Sequence, residues 1–381
     1  MTSGGQRLNV LHVYRTYFPE TQGGLQEAIR QICLGTAQHG VSNTVFALAR
    51  QPIPECVDLP EARLVRERSW FELASCDFGS VSALLKFRSL AAEADVVHLH
   101  YPWPFGDVLA LLAVGSCPYV ITYHSDVVRQ RYLNAIYSPL RSLFFRKAAA
   151  VVSTSPGYRA SSPFLGSLDR SVEMIPLCFE EAFLPPRDVE REAYWVREFG
   201  QDYFLFIGVL RYYKGLDYLL RAAEISGVTV VVAGDGPEGS RLRSQWGACP
   251  NVRFVGYVND ADKHALLEGA RAVVFPSHLR SEAFGMTLLE GAVRRRALIS
   301  TEIGTGTSYV NEDGVTGLVV PPADPVALAN AMLRLSKNPT AARAMGIAAY
   351  ERYVKLFSAS SVGAKYVGLY RSVLDARVRV Q

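Results

Sequence analysis

The sequence has no C-x-x-C pair. Its cysteines, Cys33, Cys56, Cys76, Cys117, Cys178 and Cys249, are scattered, so neither a zinc site nor a dithiol redox motif is expected, and reduced packing thiols are. It also lacks a large charge of either sign. A formal charge of +4 over 381 residues suits a phosphorylated substrate or an anionic membrane surface, but makes no case for nucleic acid. The opening segment MTSGGQRLNVLHV has no basic flank leading into an apolar run, so no secretory leader is expected. The most apolar long window, Asp107 to Thr122, is broken by Gly115, Ser116 and Pro118 before it reaches spanning length. No internal repeat or low-complexity tract is visible. These absences leave the expectation of a soluble, cytoplasmic chain.

What is present is globular: 49% hydrophobic and 20% charged residues. The length exceeds that at which one core keeps growing, so two domains are expected. Short runs rich in Val and Ile alternate with helix-like segments: LNVLHVY, NTVFALA, ADVVHLHYP, PYVITYHS and AAAVVSTSP. After the Pro-containing stretch Ile175 to Glu190 the alternation restarts with YFLFIGVL, VTVVVAGDG, VRFVGYV, AVVFPS, ALIST and GLVVPP. Strands separated by helices predict parallel sheets covered on both faces, hence two doubly wound α/β domains. The expected division is residues 1–180 plus a returning C-terminal helix, 358–381, against residues 181–357. That helix begins at a Ser cap and carries an apolar stripe through Val362, Tyr366, Leu369, Tyr370 and Val373.

Ligands of such sheets bind beyond the carboxyl ends of the strands, so the loops there hold the candidates, with a cleft between the two domains as the natural site. Gly23 and Gly24 join the first strand to the first helix, where adjacent glycines permit positive φ and a close approach of N–H groups to an anion, or simply a tight turn. VITYHSD places His124, Ser125 and Asp126 after a buried strand. GVLRYYKG places Arg211 and Lys214 where two cations would neutralise a leaving diphosphate. SEAFGMTLLE follows AVVFPS; Gly285, Met286 and Thr287 would offer free N–H groups at a helix start, and Glu282 and Glu290 would accept from hydroxyls.

Two further matches have structural readings. GDGPEG, Gly234 to Gly239, fits the dinucleotide pattern G-x-G-x-x-G, with Asp260 downstream, but sits in the second βαβ unit of its domain; a turn with Pro237 opening the helix is the simpler reading. Asp260 and Asp262 form a D-x-D of the kind that binds metal in another class of sugar-transfer enzyme, but they fall between a strand and a helix, where capping the helix start is the favoured reading.

Taken together, E-A-F-G-M-T-L-L-E, the first-loop glycines, His124, LRYYKG and AGDGPE resemble the GT4 family of retaining glycosyltransferases of GT-B fold. Within it, LHVYRTYFPETQGGLQEAI, HYPWPFGDVLAL, TYHSDVVRQRY, TSPGYRASSP and GVLRYYKGLDYLLRA are similar to the O-polysaccharide mannosyltransferases and D-rhamnosyltransferases that use GDP-linked donors. The resemblance implies two Rossmann-like domains facing across a cleft, the C-terminal helix crossing back to the first. It implies transfer of D-rhamnose or D-mannose from a GDP-sugar to a lipid-diphosphate-linked glycan in surface polysaccharide assembly, with no metal and no other cofactor. His124, Glu282, Arg211 and Lys214 would be catalytic. The donor would meet Gly23, Gly24, Gly208, Arg211, Lys214, Gly234, Glu282, Phe284, Gly285, Met286, Thr287 and Glu290; the acceptor would meet Tyr123, Ser125, Asp126 and Arg129. One departure stands out: the commoner family pattern has arginine where Val209 stands, and the resemblance implies that Arg211 substitutes.

The rivals are a family member using a UDP-sugar, a nucleotide-sugar epimerase, a nicotinamide dehydrogenase built on GDGPEG, and a non-catalytic sugar-binding protein. A peripheral membrane face is a separate expectation: Ile136 to Ala150 combines Leu140, Leu143, Phe144 and Phe145 with Arg141, Arg146 and Lys147. An amphipathic helix packed on the sheet accounts for it equally.

Overall fold

The apolar runs become strands of two sheets in the computed structural model, which describes residues 7–73, 76–126 and 131–379, with the backbone alone for 131–136. The chain divides into two units: 1–154, 162–180 and 358–381 form the first, 155–161 and 181–357 the second.

The first unit carries β1 (Leu8–Val13), β2 (Val41–Ala49), β3 (Cys56–Asp58), β4 (Arg63–Leu73), β5 (Cys76–Gly79), β6 (Val96–Tyr101), β7 (Tyr119–Tyr123), β8 (Ala150–Ser153) and β9 (Glu173–Met174). They lie in the order β3-β4-β2-β1-β6-β7-β8-β9, with β5 against β4. The short strands β3 and β5 run antiparallel to β4, while β1 pairs in parallel with both β2 and β6. Every residue of β6 and β7 is buried, which is what a parallel sheet covered on both faces demands. The strand order reverses between β1 and β6, so ligand chemistry is expected beyond their carboxyl ends.

The helix Ala359–Val378 is capped by Ser358, whose hydroxyl accepts from the Ser361 N–H at 3.3 Å. Val362, Tyr366, Tyr370 and Val373 join Val10, Ile32, Val96 and Val120 in one core. Its crossing with the helix Gly24–Ala37 is close because two glycines meet there. A Cβ at Gly35 would lie 2.4 Å from the Ala359 carbonyl oxygen, and one at Gly363 2.2 Å from that of Gly35.

The second unit is an all-parallel sheet of β10 (Tyr203–Ile207), β11 (Val230–Ala233), β12 (Val252–Gly256), β13 (Ala270–Phe275), β14 (Ala297–Thr301) and β15 (Gly317–Val320). Its order is β12-β11-β10-β13-β14-β15, the Rossmann arrangement with its switch point between β10 and β13. Phe204, Phe206, Val230, Val232 and Val274 pack there with Leu328 and Met332. Residues 155–161, expected in the first unit, belong to the second: the Ser161 hydroxyl donates to the Gly304 carbonyl at 2.6 Å, and the Gly157 backbone lies against Thr305.

Among the described residues no helix is long and apolar enough to cross a membrane. The basic aromatic stretch forms most of the helix Arg131–Lys147, but Phe144 and Phe145 are fully buried and the Arg141 guanidinium sits 4.2 Å over Phe164. Phe144 and Phe145 therefore serve the core, as the packed-helix reading of this stretch expects, and Arg146 and Lys147 remain exposed.

Candidate active site

In the second unit the switch-point loops are pressed together by a glycine. Gly215 has φ 71°, and a Cβ there would lie 2.0 Å from the Pro276 carbonyl oxygen. The His278 N–H donates to the Tyr213 carbonyl at 3.0 Å. This closeness lets Lys214, after β10, form an ion pair with Glu282, after β13. Lys214 Nζ also sits 4.6 Å from the Phe275 ring centroid. The pair leaves Lys214 with further N–H donors and Glu282 with further acceptor sites. Among the described residues the Arg211 side chain has no hydrogen-bond partner, and it is exposed.

The helix following Glu282 runs Met286–Val293 and starts at Gly285 with φ 93° and no side-chain cap. Thr287 Oγ1 donates to the Ile207 carbonyl at 3.3 Å, tying the helix start to β10. Glu290 bonds Lys263 Nζ at 2.7 Å, and Asp260 lies 3.0 Å from the same nitrogen. Burial works against the Lys263 charge, but the two carboxylates override it and raise its pKa. Glu282 precedes the helix and Glu290 lies inside it, so each carboxylate has its own lysine and they do not form one acid pair. Lys263, Gly215 and His278 were not among the residues singled out by sequence; the K-G step at Lys214 was the available signal for Gly215. Phe284 is 2% exposed and packs edge-on to Phe357, so only its backbone is available to a ligand.

The GDGPEG loop is structural. A Cβ at Gly234, φ 135°, would fall 2.0 Å from the Gly208 carbonyl oxygen, and one at Gly236 2.7 Å from Leu210 N. Leu210 N–H donates to the Asp235 carbonyl and Glu238 N–H to the Leu210 carbonyl, both at 3.0 Å. The glycines thus make room for the 208–210 loop, and Pro237 lies in the turn ahead of the helix Gly239–Trp246 rather than opening it. At the D-x-D, the cap is Asn259, whose Oδ1 accepts from the Asp262 N–H at 2.9 Å. Asp262 receives Arg191 at 2.7 Å and Trp195 at 3.1 Å, a structural tie.

In the first unit Gly23 is extended at φ −171°, and neither Gly23 nor Gly24 adopts positive φ. A Cβ at Gly24 would meet nothing within 4 Å; openness, not a left-handed turn, distinguishes the position. Tyr123 is buried, stacked on Tyr101 at 4.9 Å, and its hydroxyl donates to Asp126 at 2.7 Å, as does that of Ser162. It positions Asp126 rather than facing solvent. Ser125 is half-buried. Arg129 lies outside the described residues.

His124 is 5% exposed and stands at the end of a histidine row absent from the sequence reading. His12 of β1 and His100 of β6 share a 3.1 Å hydrogen bond, and His100 Nδ1 lies 3.0 Å from His124 Nε2. Burial lowers the pKa of His12 to about 4 and of His124 to about 3, and holds His98 and His100 well below the ordinary value. All are neutral near pH 7. His12, His98 and His100 are close enough to share a metal ion, but both ring nitrogens of each are already engaged. Those of His98 meet Tyr370 and Thr122 at 2.8 and 2.7 Å.

A groove lined by Pro118, Arg170, Leu369 and Arg377 opens at the amino ends of the first sheet, the side on which doubly wound folds do not bind ligands.

Residues 23–178 match the family model described as "Glycosyl transferase 4-like domain", and residues 194–352 match "Glycosyl transferases group 1". The chain is 41% identical over 372 residues to the O-antigen chain mannosyltransferase C of Escherichia coli, covering 97% of this chain and 100% of that protein. It is 44% identical over 354 residues to the D-rhamnosyltransferase WbpZ of Pseudomonas aeruginosa, covering 92% and 93%. Among solved structures it is similar to sucrose-phosphate synthase from Thermosynechococcus elongatus, with a TM-score of 0.79, 20% identity and coverage of 97% and 100%. HepE of Anabaena, solved with UDP and glucose, gives a TM-score of 0.76 at 15% identity, covering 96% and 100%.

Proposed function

The chain belongs to the GT4-type group 1 glycosyltransferases of GT-B fold, and from that premise we propose that it moves D-rhamnose or D-mannose from a GDP-sugar to a lipid-linked glycan. It is a glycosyltransferase of O-antigen synthesis, using a nucleotide-sugar donor and a glycan acceptor. Membership removes the dehydrogenase reading, and the filled GDGPEG turn agrees.

The observation that supports the donor assignment is the Lys214–Glu282 pair at the switch point of the second unit, with the exposed Arg211 three residues before Lys214 in the chain. In this reading Lys214 and Arg211 neutralise the diphosphate, where leaving-group charge develops. Glu282 accepts from a hydroxyl of the transferred sugar, and Glu290 from the ribose. The open helix start at Gly285, Met286 and Thr287 faces the sugar and phosphates. In the first unit the proposed contribution is His124 with Asp126. The family retains anomeric configuration: the bond from the anomeric carbon to the acceptor oxygen forms on the face from which the phosphate leaves. A phosphate oxygen takes the acceptor proton. No metal is needed in this scheme. Peripheral attachment to an anionic membrane would rest on Arg146 and Lys147, since Phe144 and Phe145 are buried; unchanged liposome binding after charge reversal of both would refute it.

The test is transfer from GDP-D-rhamnose, GDP-D-mannose and a UDP-hexose to a synthetic lipid-diphosphate glycan. Product from a GDP-sugar is expected; product from the UDP-sugar alone refutes the donor assignment.

A further inference from the structure

We infer that the buried row Asn43–His12–His100 sets the tautomer of His124, fixing its proton on Nε2 and leaving Nδ1 as a hydrogen-bond acceptor.

Asn43 anchors the row. Its Nδ2 donates to the Cys33 carbonyl at 2.9 Å, a group that only accepts, so the amide orientation is settled and Oδ1 faces His12. Thr36 Oγ1 contacts that same Oδ1 at 3.2 Å. An amide oxygen cannot donate, so His12 Nε2, 3.2 Å away, carries the proton. A neutral imidazole has one N–H, so His12 Nδ1 must accept, and its partner at 3.1 Å, His100 Nε2, is the donor. His100 Nδ1 then accepts from His124 Nε2 at 3.0 Å. Each ring passes the same polarity to the next, and the last nitrogen of the row, His124 Nδ1, has no partner among the described residues. Burial keeps the rings neutral, which the one-proton count requires.

The row is not a proton wire. A shift of protons along it would end on the Asn43 amide oxygen, which does not take one at ordinary pH. It is a lock: which nitrogen of a histidine is protonated is set by the bond the other makes, and here that bond is fixed through three strands. Asn43 is on β2, His12 on β1 and His100 on β6, and these are adjacent in the sheet. Asn43, His12 and His100 are therefore positioning residues. The consequence for catalysis rests on the function proposed above: His124 would present a lone pair, not an N–H, to a ligand hydroxyl. A tautomer with the proton on Nδ1 would meet that hydroxyl with a donor and give up the acceptor on which its orientation depends.

The experiment is nitrogen NMR of the full chain labelled in histidine, which reports the protonated nitrogen of each ring directly. His12, His100 and His124 should all appear as neutral Nε2–H forms; a Nδ1–H or charged His124 in the wild type overturns the lock without any variant. His100→Leu removes the acceptor for His124 Nε2–H, and a buried N–H left unpaired is costly, so the proton should move to Nδ1. Transfer should then fall by about tenfold or more through kcat, while His100→Gln, whose amide oxygen still accepts, should restore both tautomer and rate. Loss of transfer in His100→Leu with the tautomer unchanged means a packing role and sinks the proposal. A switched tautomer with normal transfer supports the lock and refutes the placement of His124 in the reaction site. One zinc ion per chain in the purified protein would also overturn it, since a metal on His12 and His100 excludes the 3.1 Å hydrogen bond between them.

Discussion

Lys214 and Glu282 are 68 positions apart in the chain, yet their side chains form an ion pair at 12% and 13% exposure. They meet because each follows a strand flanking the switch point, and because Gly215 lets the two loops touch. Removing one partner leaves a charge largely withdrawn from water. Lys214→Met and Glu282→Gln should each lower kcat by about a hundredfold, the scale for losing one preorganised electrostatic contact. Each should also lower stability by about 1–3 kcal/mol. The double variant should cost less stability than the sum, because neither charge is then stranded. Strict additivity in urea unfolding would show that the pair does not couple.

The glycines of GDGPEG give a second prediction. Gly234 combines φ 135° with a Cβ position 2.0 Å from a backbone oxygen, so alanine faces both strain and overlap. Gly234→Ala should destabilise by on the order of 2–5 kcal/mol. Gly24→Ala, in open space, should change stability little. Equal tolerance at the two positions in chemical denaturation would remove the packing role assigned to the motif.

These two cases mark what was legible in sequence. The alternation of Val- and Ile-rich runs with helices was enough for two doubly wound sheets, and the spacing of Glu282 and Glu290 around Gly285 singled out the loop and helix that follow β13. The lysine attached to each carboxylate was not legible, because Lys214–Glu282 and Lys263–Glu290 are made by strand order, not by sequence distance. The histidine row was hidden for a related reason. In strands buried on both faces the apolar run does not alternate, so His12, His98 and His100 looked like isolated polar residues within LNVLHV and VVHLHY. Only the pairing of β1 with β6 stacks them. Asn259 does not stand out as the cap in the sequence because Asp260 and Asp262 beside it are equally good capping types. Phe144 and Phe145 fit a lipid face or a packed helix equally well in sequence, because composition alone does not say which side of a helix the sheet covers.

The histidines also set a pH dependence. An unfolded histidine takes a proton below about pH 6.5, whereas folded His12 and His124 do so only near 4 and 3. Between those values the unfolded chain binds more protons, so stability rises with pH and is lost as pH falls from about 6.5 toward 4, by up to about 1.4 kcal/mol per pH unit for each such residue. Reversible unfolding at pH 7 and pH 5 should show a clear loss at the lower pH. A flat or rising profile on acidification would contradict the buried, neutral state of the row.

The C-terminal helix contributes more than packing. The Tyr370 hydroxyl is the partner of His98 Nδ1, and Tyr366 meets Thr122 at 3.0 Å, so the helix closes the polar layer of the first sheet. Tyr370→Phe should cost about 1–3 kcal/mol by leaving a buried imidazole nitrogen unpaired. Unchanged denaturant midpoints in that variant would mean that the His98 nitrogen finds another partner.

Ligand binding offers the cheapest discrimination between donors. A ligand that binds only the folded chain stabilises it by RT ln(1 + [L]/Kd), about 2.7 kcal/mol at a hundredfold excess over Kd. GDP should therefore raise the melting temperature more than UDP at equal concentration, and NAD should leave it unchanged, because Gly234 and Gly236 face the 208–210 loop instead of a pyrophosphate. The GDP effect should persist in a chelator if, as proposed, Arg211 and Lys214 supply the positive charge that a metal would otherwise bring. It should shrink in Lys214→Met, which removes the proposed diphosphate contact, and much less in His124→Ala, whose proposed contact is to a sugar hydroxyl that GDP lacks. A GDP shift that vanishes with chelator would overturn metal independence; an equal loss in both variants would mean that His124 touches the nucleotide and not the sugar.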